Sequence, residues 1–564
     1  MLNSRLLVVV LLIACCFSTV DALKTNIVCK VSQFPEEPSS PSSHESCSCE
    51  LTTSPSSLSM EDKKAIAIEF VQKHMKAWGI PGMALSVVVQ NETVLSTGFG
   101  VKEFGDPERV VKSDSIFPIE ALTELFIALA VAKLTESGQV HFKDTVKKHL
   151  PWFQLQDKYA EEHTTIQDLL VHNSVFSIFA ELPFELGVFK SELEYVQALR
   201  HLTTYREFRD GHHQSSMNYI VLGQVIEAIT KKSWFQYLKE AILDPLGMSN
   251  TYGRPADVTS KDKLTAGHFI CNGRTIGPFS YLTSTTVELS PSNIYAAAFS
   301  MVSSIDDMTK LSQALLHKDK RLFQNGNTLR DMLADHTIKF GSLHKWLAVY
   351  GFLNVSESTP VVAGLGFDTI GNLLDNQPYF GKLGGYYGTA GWLPMQEIGI
   401  VLLVNGFNIP GRYIDKHRFQ AVRSYLLRLF MGVPVERLNR DYQVWVEWAY
   451  ANFTVFPCNS DYFGGIPWDR PGIEIAESMK KALVGTYCAT ESSGYIGNAT
   501  IARAGQDLTL HYGAYTRRLI PTEHEDSFVW SLTRRARTYF VDVWIVDDQV
   551  SISLMLIQFD KCDG

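Results

Sequence analysis

Between Leu122 and Leu134 the chain is almost wholly apolar at helical length, and no other stretch restricts its fold so tightly. A helix that is apolar on every side has no face to give to water and must be enclosed by other elements. The run is shorter than the ~20 residues that a bilayer crossing needs, so it predicts a central buried helix, ended at Gly138. A chain of 564 residues is long enough to build that enclosure and a further domain beside it.

The flanking sequence predicts how the rest is organised. Upstream, Ile66, Phe70, Met75 and Trp78 suggest an amphipathic helix, and Ala84–Val89 and Val94–Phe99, joined by Gln90-Asn91-Glu92, read as a hairpin. Downstream, helical stretches and polar loops run to about residue 345, an apolar strand follows at Glu397–Leu403, and a helix covers Phe419–Leu429. Residues 431–478 read as an aromatic, Pro-containing connection. In 479–564 the segments Leu508–Leu510, Phe528–Leu532, Tyr539–Val546 and Val550–Ile557 are short strands of a small antiparallel β domain. Closed as a barrel, that domain would place its first and last strands side by side and bring Cys488 and Cys562 within bonding reach.

The N-terminus reads as an export signal: Arg5, the apolar run Leu6–Phe17, and Val20-Asp21-Ala22 ahead of a cut after Ala22. Residues 1–22 are then a signal peptide, 23–60 a Ser/Pro-rich disordered segment, and the mature protein is expected to be secreted and extracellular, with no membrane span. Glycosylation sequons at Asn91, Asn354, Asn452 and Asn498 fit that compartment. After signal removal the cysteines are Cys29, Cys47, Cys49, Cys271, Cys458, Cys488 and Cys562. None has the spacing of a zinc or redox pair, so disulfides are expected, and the odd count leaves one thiol free or paired with another chain. A net charge of −9 without a Lys/Arg-rich run excludes a nucleic-acid partner. Adjacent His212 and His213 read as a polar loop, and with no His-Glu-x-x-His helix no metal or cofactor is expected.

A dense framework of short motifs runs through residues 61–430. In order it comprises Ile80-Pro81-Gly82-Met83-Ala84, Gly98-Phe99-Gly100, Phe117-Pro118-Ile119, Leu134–Val140 and Leu150-Pro151. Thr164-Thr165-Ile166 with Leu169–His172, Asn218–Gly223, Pro245–Met248 and Ser303–Met308 complete it. This region resembles the class C β-lactamase and penicillin-binding-protein family of serine hydrolases. The resemblance implies an α/β (α+β) domain with a central antiparallel sheet flanked by helices. The C-terminal domain, with Gly485-Thr486-Tyr487 at its start, resembles the lipocalin-like appendage of some relatives.

The family's chemistry needs a Ser-x-x-Lys on the buried helix, a Tyr-x-Asn, and a Lys- or His-x-Gly strand. Placed by Phe117 and Ile119, the nucleophile's position here is Ala121 and the base's is Glu124. A methyl group has no lone pair with which to attack a carbonyl, and a carboxylate reverses the charge of an ammonium. Placed by Tyr219 and Gly223, the Tyr-x-Asn positions are Gln214 and Ser216, and Gln cannot move protons near neutral pH. Only Lys382-Leu383-Gly384 remains, with Lys382 and Gly384 as candidate binding residues and a Glu124–Lys382 contact expected across the cleft. Of the other Ser-x-x-Lys matches, those at Ser260 and Ser478 lack the buried helix that the chemistry requires, while Ser342, which follows Phe340-Gly341 and precedes Trp346, is a two-residue match of a kind frequent by chance.

Three functions follow. The first is a secreted structural or binding protein with a silent site, whose partners are extracellular matrix components or a small anionic ligand; secreted proteins of this resemblance include gigasin-type matrix components. The second is a hydrolase with a rearranged site, and the third an extracellular carrier of a small ligand.

Overall fold

The computed structural model describes residues 58–562, apart from 178–180, 205, 272–273, 283–294, 335, 340–359, 409–414, 453–473, 523, 534–535, 548 and 556. The signal peptide, the Ser/Pro-rich segment up to residue 57, Ser342, Asn354, Cys29, Cys47, Cys49 and Cys458 lie outside the described residues, as do the side chains of Cys271 and Asn452. Lys64–Gly564 form one compact unit.

The apolar run forms helix α2 (Leu122–Glu136), with every residue from Leu122 to Ala132 buried. It is enclosed by helix α3 (Met217–Thr230), the short helix Trp234–Leu238 and a sheet strand. Helix α2 ends at Ser137, and Gly138 follows at φ +72°, the left-handed conformation that glycine adopts without a Cβ clash.

The sheet has eight antiparallel strands. In chain order they are β1 (Gly82–Val89), β2 (Glu92–Gly100), β3 (Thr337–Ile338), β4 (Val362–Ala363), β5 (Thr369–Leu374), β6 (Gln377–Gly384), β7 (Gly388–Leu393) and β8 (Ile398–Val404), and in space they run β2-β1-β8-β7-β6-β5-β4-β3. The expected hairpin is β1–β2, turning through Gln90 and Asn91 at φ +48° and +67°. Strands β1 and β8 are buried along nearly their whole length. Apolar layers cover both faces: α2 and α3 pack on one, and α1 (Met60–Trp78) and α5 (Asp415–Met431) on the other, while α4 (Ile305–Leu316) lies along β1 and β8.

The segment read as a connection carries a helix. Val435–Asn452 is an 18-residue helix, α6, packed on α5. Leu438, Tyr442, Trp445 and Ala449 recur at helical spacing and form its inward stripe, in which Leu438, Trp445 and Ala449 are buried. Its aromatic content masked that period.

The C-terminal strands close into an eight-stranded antiparallel barrel: β9 (Gly485–Ala489), β10 (Asn498–Ala504), β11 (Asp507–Tyr512), β12 (Tyr515–Pro521), β13 (Ser527–Thr533), β14 (Ala536–Val546), β15 (Gln549–Leu554) and β16 (Ile557–Lys561). Tyr487, Tyr512, Trp530 and Phe559 lie in the apolar cluster that forms the barrel's core. Closure pairs β9 with β16, and Cys488 and Cys562 form a disulfide there with Cα atoms 5.6 Å apart. The barrel and the helical layer share side chains: Leu182 and Leu186 enter the barrel's cluster, and Tyr495 enters the helical one.

Candidate functional site

Helix α2 points its N-terminus at the end of β6, and the loop ahead of α3 closes the third side. Ala121 is the residue at which α2 begins, and Glu124 lies one turn on, fully buried. Lys382 stands on β6 in register with Ala390 and is also fully buried. Its ammonium donates to Glu124 Oε2 at 2.5 Å and to Asp368 Oδ1 at 2.8 Å, while the Leu383 amide donates to Asp368 Oδ2 at 3.0 Å. The cross-cleft pair is therefore present, but Lys382 has two carboxylate partners. Asp368 immediately precedes β5 in a turn, and nothing in the local sequence marked it.

Further groups complete the cluster. Gln214 Nε2 donates to both Glu124 oxygens, at 3.2 and 3.3 Å. His172 Nε2 lies 3.5 Å from Glu124 Oε2, too far for a good hydrogen bond but close enough for charge to matter. The other nitrogen of that ring, Nδ1, receives the Ser215 amide at 3.3 Å. Asn218 is held by Ser174 Oγ at 2.6 Å and donates to the Ser215 carbonyl at 3.0 Å. The Lys382 ammonium also lies 5.5 Å from the centre of the Tyr219 ring. His212, read from sequence as part of a polar loop, sits in a loop but has its ring 5.4 Å from that of His172.

These contacts set the protonation states. Burial alone would raise the Glu124 carboxyl, but the Lys382 ammonium and the nearby His172 ring outweigh it and hold it below the usual carboxylate range. The same balance, burial against Lys382, holds Asp368 well down. Burial works to lower the Lys382 ammonium, and the two carboxylates more than reverse it. Glu124, His172 and Asp368 bring donor atoms within 4.8 Å of one another, a set that could hold a cation. Two of the three, Glu124 and Asp368, already hold a cation, the Lys382 ammonium.

Glu120 forms the rim. Its backbone is at φ +41°, an uncommon conformation for a side chain with a Cβ, and its carboxylate accepts the Tyr386 amide at 2.7 Å. A side chain at Gly385 would meet that carboxylate at 2.3 Å. Gly384 lies close against α2: a Cβ there would lie 2.9 Å from Leu122 Cγ. Ser216 stands at the start of α3, and its amide donates to Glu181 Oε1 at 2.6 Å. Glu181 is half-buried as a residue, with its carboxyl turned inward. Burial first, then neighbouring Glu185, pushes that carboxyl up to about 8. Of the remaining expected sites, Asn91 and Asn498 are exposed. The other Ser-x-x-Lys matches among the described residues stand on a short helical turn at 261–263 and on the short helix Glu477–Leu483, both remote in sequence from this cleft.

Such a sheet, with a buried helix aimed at the end of a Lys-x-Gly strand, is the architecture of the serine β-lactamase class. The family model described as Beta-lactamase matches residues 67–423, and the chain belongs to that family. Among its relatives are protein Flp of Staphylococcus aureus (strain COL), 27% identical over 200 residues that make up 34% of this chain and 38% of Flp, and Gigasin-6 of Magallana gigas, 24% identical over 196 residues, 34% of this chain and 64% of Gigasin-6. The matched part thus spans well under half the length of Flp and just under two thirds of Gigasin-6. The fold is shared with the octameric penicillin-binding protein homologue from Pyrococcus abyssi (TM-score 0.54, 20% identity, covering 88% of this chain and all of that one). It is also shared with EstCE1, a hydrolase with promiscuous acyltransferase activity (TM-score 0.53, 18% identity, covering 64% of this chain and 98% of that one). Among the described residues no helix is long and apolar enough to cross a membrane.

Proposed function

We propose that this chain is a secreted, catalytically silent member of the β-lactamase family that acts outside the cell as a binding or structural protein. The observation that carries the reading is the Lys382 ammonium, buried between Glu124 and Asp368. An acyl-transfer site needs a hydroxyl at the start of α2 and a base one turn along. Here Ala121 offers a methyl group, and Glu124 is a carboxylate already committed to Lys382 and Gln214. Losing one member of a serine-hydrolase unit costs up to about a million-fold in turnover, and this site lacks the nucleophile, the base and the tyrosine together. The export signal and the glycosylation sequons read from the sequence support an extracellular setting, with matrix components or a small anion as the proposed partners.

The test uses purified full-length protein with a chromogenic ester and a serine-directed phosphonate. Neither turnover nor labelling is expected, and Ala121→Ser alone should not create turnover, because neither Glu124 nor Gln214 can act as the base beside Lys382. Saturable hydrolysis by the unmodified protein would refute the reading, whether or not it persists when Ser342 is replaced.

A further inference from the structure

A second cavity lies on the opposite face of the sheet, between α1, α5 and α6, and shares no residue with the Lys382 cluster. It encloses about 480 Å³, within the range of small-ligand sites. Its walls are aromatic: Phe70, His74 and Trp78 from α1, and Tyr442 and Trp445 from α6. The His74 ring meets those of Trp78 and Tyr442 edge to face at 4.9 and 4.8 Å. Two cations border it. Arg418 lies 5.0 Å from the centre of the Trp78 ring, and Lys73 stands exposed one residue before His74. None of the lining residues is acidic.

His74 gives the cavity its polar direction. Its Nδ1 lies 2.6 Å from the Phe70 carbonyl oxygen. A carbonyl only accepts, so Nδ1 carries the proton and Nε2, on the ring edge turned away from the α1 backbone, is an acceptor. Burial, helped by Lys73 and Arg418, pushes the imidazole down to about 4, so the ring is neutral at physiological pH. A ligand that satisfies this site has an apolar face for the rings, an anionic group for Lys73 and Arg418, and a hydroxyl to donate to His74.

We propose that this cavity binds an acidic saccharide residue, a hydroxylated ring bearing a carboxylate or a sulfate. An unsubstituted aromatic anion has the flat face and the charge but no hydroxyl for Nε2, and a neutral sugar lacks the charge. Charge-assisted contacts are about twice as strong as neutral ones, so the anion sets affinity and the hydroxyl sets choice.

The experiment titrates full-length protein with sodium glucuronate, glucose 6-sulfate, methyl glucoside and benzoate, followed by calorimetry and tryptophan fluorescence. Saturable binding of glucuronate, of glucose 6-sulfate or of both is expected; a preference between them tells carboxylate from sulfate. Methyl glucoside and benzoate should bind at least roughly tenfold more weakly, about 1.4 kcal/mol. Lys73→Glu, at an exposed position, should weaken the acidic sugars by a similar factor at an unchanged melting temperature. His74→Phe, which keeps a ring in the wall, should bring glucuronate down towards benzoate. No saturable binding of either acidic sugar at millimolar concentration, benzoate binding as well as glucuronate, or unchanged affinity in Lys73→Glu would each overturn the assignment.

Discussion

Lys382, Glu124 and Asp368 carry one positive and two negative charges in a space closed to water. Removing the ammonium leaves two buried carboxylates uncompensated, which costs about 3–5 kcal/mol, whereas replacing the whole set by apolar side chains of similar volume is often neutral or stabilising. Lys382→Ala should therefore lower the urea midpoint markedly, and Lys382→Met combined with Glu124→Met and Asp368→Leu should recover most of the loss. A triple variant no more stable than Lys382→Ala would contradict this account. The pH dependence has two opposed parts. Glu124 and Asp368, held below the carboxylate range, contribute stability above the unfolded-state values near 4 and lose it as the pH falls through their lower folded values. Glu181 runs the other way. With its folded carboxyl at about 8, the native state keeps a proton that the unfolded chain releases, so its contribution falls as pH rises between about 4.5 and 8. Glu181→Gln can still accept from Ser216, and it should flatten that slope in denaturation measured at both ends of the window.

At the scale of elements, the barrel's seam shows how one bond holds a topology. Strands β9 and β16 are the two ends of the barrel and pair only once it closes. The Cys488–Cys562 bridge ties positions 74 residues apart, and a covalent link of that span restricts the unfolded chain more than the native one. Such links are worth about 2–4 kcal/mol. Cys488→Ser combined with Cys562→Ser should lower stability by that amount while leaving the barrel folded, as read by near-ultraviolet circular dichroism from Trp530. Helix α6 teaches a different lesson. Its stripe of Leu438, Tyr442, Trp445 and Ala449 has helical period, yet two of those four residues are aromatic and the helix is preceded by a proline at 434, features that also describe a loop. Packing on α5 resolves what local pattern leaves open.

Across the whole molecule, the barrel is no loose appendage. Tyr495 is buried in the helical cluster with its ring 5.8 Å from that of Tyr195, and Leu186 is buried in the barrel's. The Ala514 amide donates to the Leu186 carbonyl at 2.8 Å, and the Thr203 amide to Ser492 Oγ at 2.9 Å. The helical segment that receives the barrel begins at Glu181, whose carboxyl holds Ser215 and Ser216, and Ser215 in turn holds His172. Removing residues 474–564 would expose Leu182, Leu186, Phe189 and Tyr195 together. The shortened chain is expected to aggregate, or to melt well below the full-length protein in differential scanning calorimetry; an unchanged melting temperature would show that the two parts fold independently.

What the sequence determined by itself was the part of the protein governed by local pattern. The apolar run from Leu122 demanded burial, the motif spacing identified the family, and the register from Phe117 and Tyr219 put Ala121, Glu124 and Gln214 at the positions they occupy. Alternation in the last strands, with a cysteine at each end, carried both the barrel and its bridge. Tertiary structure alone decided the second carboxylate on Lys382, the approach of His172 and His212, the inward turn of Glu181, the Glu120 carboxylate across the mouth of the cleft, and the aromatic cavity behind the sheet. The reason is common to all of them. Asp368 and Lys382 meet because a turn and a neighbouring strand bring them to one point, and Phe70 faces Tyr442 across 372 positions because α1 and α6 both pack against α5. A single carboxylate, histidine or tyrosine in sequence has no period and no fixed partner spacing, so its chemistry is set by whatever the fold places against it.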